Sequence, residues 1–127
     1  MERLVIGCGY LGRRVARRWL KMGDTVYAVT RDPARADEFE QDGIIPLVAD
    51  ICDHSALAIL PTVDTVLYAV GFDRSGDQSI RSFFVDALGN ILSNVSLGKC
   101  SRFLYISSTG VYGQEDGQWV DEESPCQ

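Results

Sequence analysis

Histidine and paired cysteines are scarce in this sequence, which contains one histidine and four cysteines, none of them in a C-x-x-C pair. Metal sites in proteins are commonly built from several such ligands at short spacing, so no metal site is expected. His54 has no partner at ligand spacing and is expected to face solvent at the start of a helix. The four cysteines are expected to be free thiols, which is typical of a reducing cytoplasmic compartment; they are Cys8, Cys52, Cys100 and Cys126.

Long apolar runs are also absent. No segment approaches the roughly 20 apolar residues that a membrane span requires. The first apolar strand begins at residue 3, which leaves no room for a signal peptide. We therefore predict a cytoplasmic protein that does not insert into a membrane.

Positive charge is in short supply, since 12 lysines and arginines stand against 18 aspartates and glutamates, a net charge of −6. Nucleic acids and acidic membrane surfaces bind through positively charged patches, so neither is expected as the main partner. One basic cluster is present in residues 13–21, and its members are Arg13, Arg14, Arg17, Arg18 and Lys21. At helical spacing most of them fall opposite Val15, Trp19 and Met22, which predicts a solvent-exposed helix face.

A glycine motif follows directly after the first apolar strand, in the spacing G-x-G-x-x-G at Gly7, Gly9 and Gly12. Gly7 permits a tight turn out of the strand, and Gly9 leaves the backbone open to a pyrophosphate. Gly12 lets the following helix pack close to the strand, and the helix N-terminus offers N–H groups to phosphates. The order of strand, glycines and helix predicts a dinucleotide-binding site, with a glycine-rich turn that binds nothing as the alternative.

Strands and helices alternate over residues 1–113, which we predict to be one domain. Further strands are predicted at 25–29, 44–49, 63–70 and 102–107, and helices at 33–43, 53–60 and 78–97. Pro46 cannot donate to a strand ladder, which places the third strand at a sheet edge. The prediction is an α/β fold: a Rossmann-type, doubly wound parallel sheet in the order 3-2-1-4-5, with helices on both faces.

The two ends of this pattern have distinct compositions. The predicted long helix at 78–97 has apolar residues at helical spacing, namely Phe83, Phe84, Ala87, Leu88, Ile91, Leu92 and Val95. Residues 114–127 are acidic and polar and lack periodicity, which predicts a loop or tail that leads into a further portion of a longer protein.

The residues after the second strand bear on the choice of cofactor. A site specific for NAD tends to place an acidic residue there to hold the ribose 2′-hydroxyl. This sequence has Thr30 and Arg31 instead, and a guanidinium can bind a 2′-phosphate through two hydrogen bonds. NADP is therefore the predicted cofactor, while Asp32, one residue further on, keeps NAD open.

A second motif lies after the fifth strand, where residues 107–113 read S-S-T-G-V-Y-G. With the glycine motif, it resembles the NAD(P)-dependent epimerase/dehydratase branch of the short-chain dehydrogenase/reductase superfamily, of the extended or atypical kind. Residues 85–87 and 118–125 fit that resemblance too. It implies a set of cofactor-binding positions: Gly7, Gly9, Tyr10, Leu11, Gly12, Thr30, Arg31, Asp50, Ile51, Ala69, Val70 and Gly71.

The resemblance also implies a catalytic residue. The family's serine or threonine, three positions before the V-Y-G valine, corresponds to Ser108, whose hydroxyl would hydrogen-bond the reacting oxygen of a substrate. Tyr112 is not the family's catalytic tyrosine, which belongs to a later Y-x-x-x-K helix that this sequence lacks. We therefore expect the nucleotide-binding portion of an oxidoreductase, epimerase or dehydratase acting on a sugar nucleotide or another carbonyl or alcohol substrate, inactive alone.

Two other interpretations stay open. The chain could be a non-catalytic module that senses nucleotide or redox state, or a ligand-gated regulatory domain of the potassium-transport type. The latter would be expected to have an acidic residue after the second strand. Self-association is a further expectation, because the fifth strand would be a sheet edge and the helix at 78–97 corresponds to one that commonly packs in family dimers.

Overall fold

The structure is a computed structural model that describes residues 1–71, 79, 81–107, 113 and 116–125, with the backbone alone at 82 and 83. Within these ranges, no helix is both long enough and apolar enough to cross a membrane. The described part of the predicted tail, 116–125, contains no helix or strand.

Five parallel strands form one sheet in the order β3-β2-β1-β4-β5, which confirms the predicted strand order. The strands are β1 (Glu2–Ile6), β2 (Thr25–Thr30), β3 (Ile45–Val48), β4 (Thr65–Tyr68) and β5 (Arg102–Tyr105). Leu4 of the central strand pairs with Tyr27 on one side and with Val66 on the other. Pro46 lies in β3 at the sheet edge, where its missing N–H does not interrupt a ladder between two neighbours.

Alternate residues of the central strand β1 feed two separate cores, as the two-residue period of a strand requires. Leu4 and Ile6 pack on one face with Leu57 and Ile91, whereas Val5 packs on the other face with Trp19 and the rest of a second core. Both faces are therefore covered, which confirms the predicted helices on both sides.

The helices on the Val5 face are α1 (Tyr10–Lys21) and α2 (Pro33–Gln41). Asp32 caps α2 by accepting a hydrogen bond from the Ala34 N–H at 3.0 Å, and proline occupies the first helical position. The basic cluster of α1 is exposed as predicted, apart from the half-buried Arg13. Met22, expected on the buried face of α1, is instead 61% exposed, because the helix ends at Lys21 and Met22 is its C-cap.

The face that packs Leu57 and Ile91 is covered by shorter pieces. They are a 3₁₀ helix (His54–Ile59), a π-helical turn (Ser82–Asp86) continuous with α3 (Ala87–Leu92), and a second 3₁₀ helix (Leu97–Lys99). His54 is the exposed first residue of its helix, as predicted.

The prediction of one helix over 78–97 was wrong at its carboxyl end. The α-helix ends at Leu92, and Asn94 then uses its side chain to build a turn, accepting from the Leu97 N–H at 3.1 Å and donating to the Leu57 carbonyl at 2.9 Å. An asparagine that bonds the backbone offers the chain an alternative to the helix. Leu92 and Val95, expected in the apolar stripe, are 58% and 78% exposed.

A compact ion-pair cluster lies at the amino end of the sheet. The Arg3 guanidinium contacts the Asp24 carboxylate at 3.0 Å, donates to the Thr65 hydroxyl at 2.8 Å and stands 5.1 Å from the centre of the Trp19 ring. The cluster joins β1 to β4 and to the turn that follows α1, and it lies at the end of the sheet opposite to the carboxyl ends of the strands.

Candidate dinucleotide-binding site

A cavity of about 280 Å³ opens at the carboxyl ends of the central strands. The chain passes from β1 to β2 on one side and from β3 to β4 on the other, so the cavity lies at the switch point of the strand order. Its walls are the end of β1 with the turn after it, the end of β2, the residues that follow β3 and β4, and one side of α2. The lining residues are Ile6, Gly7, Cys8, Gly9, Val29, Thr30, Arg31, Arg35, Phe39, Ala49, Asp50, Ile51, Cys52, Ala69, Val70 and Gly71.

The three motif glycines have different surroundings. Gly7 has φ +89°, and a Cβ there would lie 2.5 Å from the Ala69 carbonyl oxygen. A Cβ at Gly12 would lie 2.5 Å from the Gly7 carbonyl oxygen and 2.9 Å from a methyl of Val5. A Cβ at Gly9 would meet no atom within 4 Å, so its backbone faces open space. Gly7 and Gly12 therefore allow close packing, while Gly9 leaves the mouth of the cavity clear.

The structure brings nine of the twelve predicted cofactor-binding positions to this cavity: Gly7, Gly9, Thr30, Arg31, Asp50, Ile51, Ala69, Val70 and Gly71. Gly12 lies behind the turn, in contact with its backbone. Tyr10 and Leu11 point outward; Tyr10 is 80% exposed, and the Arg14 guanidinium lies 4.3 Å from its ring centre. Ser108 and Tyr112, the hydroxyl residues of the second motif, fall outside the described residues.

Short-range hydrogen bonds shape the cavity wall beside β2 and β3. The Thr30 hydroxyl accepts from the Asp32 N–H at 3.1 Å, and the Asp32 carboxylate is engaged as the cap of α2. After β3, Asp50 accepts from the Cys52 N–H at 2.9 Å, which forms a tight turn. Arg31 is exposed at the rim, and its cationic group therefore meets solvent beside the cavity.

Arg35 was missed by sequence reasoning, which treated it as an ordinary residue of α2. Its guanidinium donates a 2.8 Å hydrogen bond to the carbonyl oxygen of Cys8 and lies 5.6 Å from the centre of the Phe39 ring. The available signal was its place in the first turn of a helix whose start was predicted, close after the end of β2.

Burial raises the pKa of two groups in this region, the Cys8 thiol of the cavity lining and the Tyr68 hydroxyl at the end of β4. Desolvation raises the pKa of the Cys8 thiol, against the opposing effect of Arg35, so this side chain is a neutral thiol at pH 7. Burial also raises the pKa of Tyr68 to about 12, and its ring stacks on Tyr105 at 5.6 Å between ring centres. Neither group is charged at neutral pH, which leaves Arg31, Arg35 and Asp50 as the charged residues of the lining.

Among the described residues there is no group of three or more histidine, cysteine or acidic side chains placed to hold a metal ion. Cys8 and Cys100 are free cysteines, with Cys8 buried. The cavity lining combines backbone groups of the glycine turn and apolar side chains with Thr30, Asp50 and two arginines.

The parallel sheet, the glycine turn and the cavity at the switch point define a Rossmann-type domain of the nucleotide-binding class. Comparison with known proteins narrows this class. The sequence profile of the NAD dependent epimerase/dehydratase family matches residues 3–127. The chain belongs to that family.

Individual relatives agree with this membership. Eugenol synthase 2 from Clarkia breweri is 26% identical over 113 residues, which cover 73% of this chain and 37% of that enzyme. A short-chain dehydrogenase/reductase superfamily protein from Agrobacterium tumefaciens, solved with bound NAD, matches with a TM-score of 0.79 and 25% identity, over 100% of this chain and 39% of the other. A UDP-galactose 4-epimerase matches with a TM-score of 0.78 and 25% identity, over 100% of this chain and 45% of the other.

The chain therefore spans 37% of the length of the first of these relatives and 39% and 45% of the two solved structures.

Proposed function

We propose that this chain binds a nicotinamide dinucleotide in the cavity at the carboxyl ends of β1, β2 and β4. The observation that supports this most strongly is the open backbone at Gly9, between Gly7 and Gly12, which are packed so closely that neither has room for a Cβ. In this proposal the pyrophosphate lies against the Gly7–Gly9 turn and the N-terminus of α1, where backbone N–H groups and the helix dipole favour negative charge. When bound, the nicotinamide would supply hydride chemistry.

We propose NADP as the preferred form of the cofactor, with Arg31 at the 2′-phosphate. Arg31 is exposed at the cavity rim, directly after β2, where the ribose of the adenosine lies in this fold. Asp32, the residue that would favour NAD, is already engaged as the cap of α2. A guanidinium at that point of the rim favours a phosphate over a hydroxyl.

The test is calorimetric titration of NADPH and NADH into the parent chain and Arg31→Ala. Loss of a charge-assisted phosphate contact should weaken NADPH binding by about 1.5–3 kcal/mol and leave NADH nearly unchanged. Arg18→Ala removes an exposed arginine from the last turn of α1 and is the matched control. Equal losses for both nucleotides would remove Arg31 from the ribose site, and no binding by the parent would refute the proposed function.

We further propose that the complete site belongs to an enzyme that transfers hydride to or from a sugar nucleotide or another carbonyl or alcohol substrate. Ser108 is the proposed catalytic hydroxyl of this chain, by its match to the family motif. Family membership and the reductase and epimerase relatives support the class of reaction. A cytoplasmic location is part of the proposal and is supported by the free thiols of Cys8 and Cys100.

Catalysis by this chain alone is not expected, because the sequence contains no Y-x-x-x-K motif to supply the proton donor that such a reaction needs. Sugar nucleotides and simple carbonyl compounds should give NADPH oxidation at the uncatalysed rate. Turnover that disappears in Ser108→Ala would contradict this, and would point to Tyr112 as the acid. Binding of nucleotide without any turnover is also what a regulatory module would show, and a change in partner binding on nucleotide addition would then favour that alternative.

A further inference from the structure

We propose that Arg35 is a positioning residue of the dinucleotide site, which holds the Cys8–Gly9 peptide so that the Gly9 N–H faces the pyrophosphate. This inference rests on the proposed function. It assigns to Arg35 a role distinct from that of Arg31, since Arg35 acts through the backbone of the glycine turn and is expected to touch no part of the 2′-phosphate.

The hydrogen bond itself is the first observation. Arg35 Nη2 donates to the Cys8 carbonyl oxygen at 2.8 Å, and the two residues are 27 positions apart in the sequence. A cationic donor at this distance makes a stronger bond than a neutral one. The bond therefore ties the first turn of α2 to the turn between β1 and α1, two segments that the sheet ladders do not join at this point.

Because the peptide is planar, this hydrogen bond also fixes the direction of the Gly9 N–H. In a trans peptide the C=O and the following N–H lie in one plane and point in opposite directions. When the Cys8 carbonyl is directed at Arg35, the N–H of Gly9 must be directed away from α2. Of the three motif glycines, Gly9 is the one at which a Cβ would meet no atom within 4 Å, so its N–H belongs to the backbone that a pyrophosphate can approach.

Both partners of the hydrogen bond pack against the same buried core. The Arg35 guanidinium lies 5.6 Å from the ring centre of Phe39, which is 1% exposed, and the Cys8 side chain is 4% exposed in the same core. A rotation of the Cys8–Gly9 peptide would have to break the hydrogen bond or move the thiol out of that core. The turn is thus set before any ligand arrives, which lowers the entropic cost of binding.

The chain offers a control with nearly the same surroundings. The Arg13 guanidinium lies 6.0 Å from the centre of the same Phe39 ring, but its hydrogen bond goes to Asp42 at 3.0 Å instead of the glycine turn. Arg13→Ala therefore removes an arginine from Phe39 without removing the bond to Cys8. A loss of nucleotide affinity common to both variants would come from lost packing on Phe39. Only the additional loss in the Arg35 variants would come from the orientation of the Cys8–Gly9 peptide.

The experiment is calorimetric titration of NADH and NADPH into the parent chain, Arg35→Met, Arg35→Lys and Arg13→Ala. Methionine keeps an apolar stem over Phe39 and has no donor, whereas lysine keeps a cationic donor. We expect Arg35→Met to lower the affinity for both nucleotides by the same factor, on the order of tenfold. The loss of affinity should be smaller in Arg35→Lys and absent in Arg13→Ala. Without any nucleotide, the amide signal of Gly9 should shift and exchange faster in Arg35→Met but not in Arg13→Ala.

The outcomes separate the two proposals. A loss confined to NADPH would make Arg35 a ligand of the 2′-phosphate and overturn the positioning role, as would unchanged binding of both nucleotides in Arg35→Met. If Arg35→Met does not fold, Arg35→Lys and the Gly9 amide signal decide, and an unchanged signal overturns the inference. If the parent binds neither nucleotide, the proposed function fails, and this inference fails with it.

Discussion

Gly12→Ala should lower stability and weaken nucleotide binding at the same time. The new Cβ would lie 2.5 Å from the Gly7 carbonyl oxygen and 2.9 Å from a methyl group of Val5. Val5 is fully buried at 0% exposure, and Gly7 is held by its own contact with the backbone after β4. Neither neighbour can move away cheaply, so α1 has to lift from the strand or the turn has to open.

The expected size follows from two opposing effects. Overpacking of a rigid site costs about 1–3 kcal/mol, and the absence of a yielding neighbour places Gly12→Ala in the upper half of that range. Alanine returns about 0.8–1 kcal/mol through its better helix propensity. The net loss should therefore be roughly 1–2 kcal/mol, which corresponds to a fall of several degrees in melting temperature.

Gly89→Ala is the matched control. Gly89 also lies within a helix, α3, but it is exposed and a Cβ there would meet no atom within 4 Å. Alanine should raise stability at this position by about 0.8–1 kcal/mol, since only the propensity effect remains. Urea unfolding of both variants, followed by circular dichroism, measures the difference. A Gly12→Ala chain as stable as the parent would refute the close-packing argument, and with it the reason for a glycine at that position.

Two further predictions concern pH and association. Hydrogen bonds from Arg13 hold the pKa of Asp42 below its usual range, so this carboxylate stabilises the fold at neutral pH and stops doing so as the pH falls through its lowered pKa. Asp42→Asn should therefore cost stability in urea unfolding at pH 7 and little at pH 2, and an equal cost at both would contradict the ion pair. Leu104 and Tyr105, 40% and 46% exposed on edge strand β5, should promote self-association. Leu104→Lys should reduce the sedimentation coefficient at high concentration. Tyr105→Lys places the same charge on the other face of the strand and is the control for damage to the core. If neither lysine variant changes the association while Phe84→Asp abolishes it, the helix makes the contact instead.

The sheet was predictable because its signals are local. A short apolar run followed by spaced glycines identifies β1 and its turn, and Pro46 alone places β3 at the edge. Gly9 and Arg31 were predicted from the glycine motif and from the end of the second strand, and Asp50 from the family resemblance; all three line one cavity, since the carboxyl ends of parallel strands meet at one edge of the sheet.

What the sequence did not reveal depends on contacts between distant segments. Asn94 ends the helical region because its amide finds the Leu57 carbonyl, 37 residues earlier, and no local pattern contains that partner. Arg35 reaches the Cys8 carbonyl only after α2 has packed beside α1, so its role was invisible in a helical pattern that was otherwise correctly predicted.

The pairing of β1 with β4 has a consequence for how the chain matures. Arg3 pairs with Thr65, and the strands between them in the sequence lie on the other side of β1, so the cavity cannot close until about half of the chain has been synthesised. Such distant pairings form slowly, because a long loop must be closed before its contacts are rewarded. Until β4 pairs with β1, Gly7 has no Ala69 carbonyl beside it, and the cavity lacks the part of its lining formed by Ala69, Val70 and Gly71. A ribosome-bound chain that ends before residue 71 should therefore not bind the dinucleotide. In a series of nascent chains of increasing length, the length at which binding begins would show when β4 has paired with the central strand.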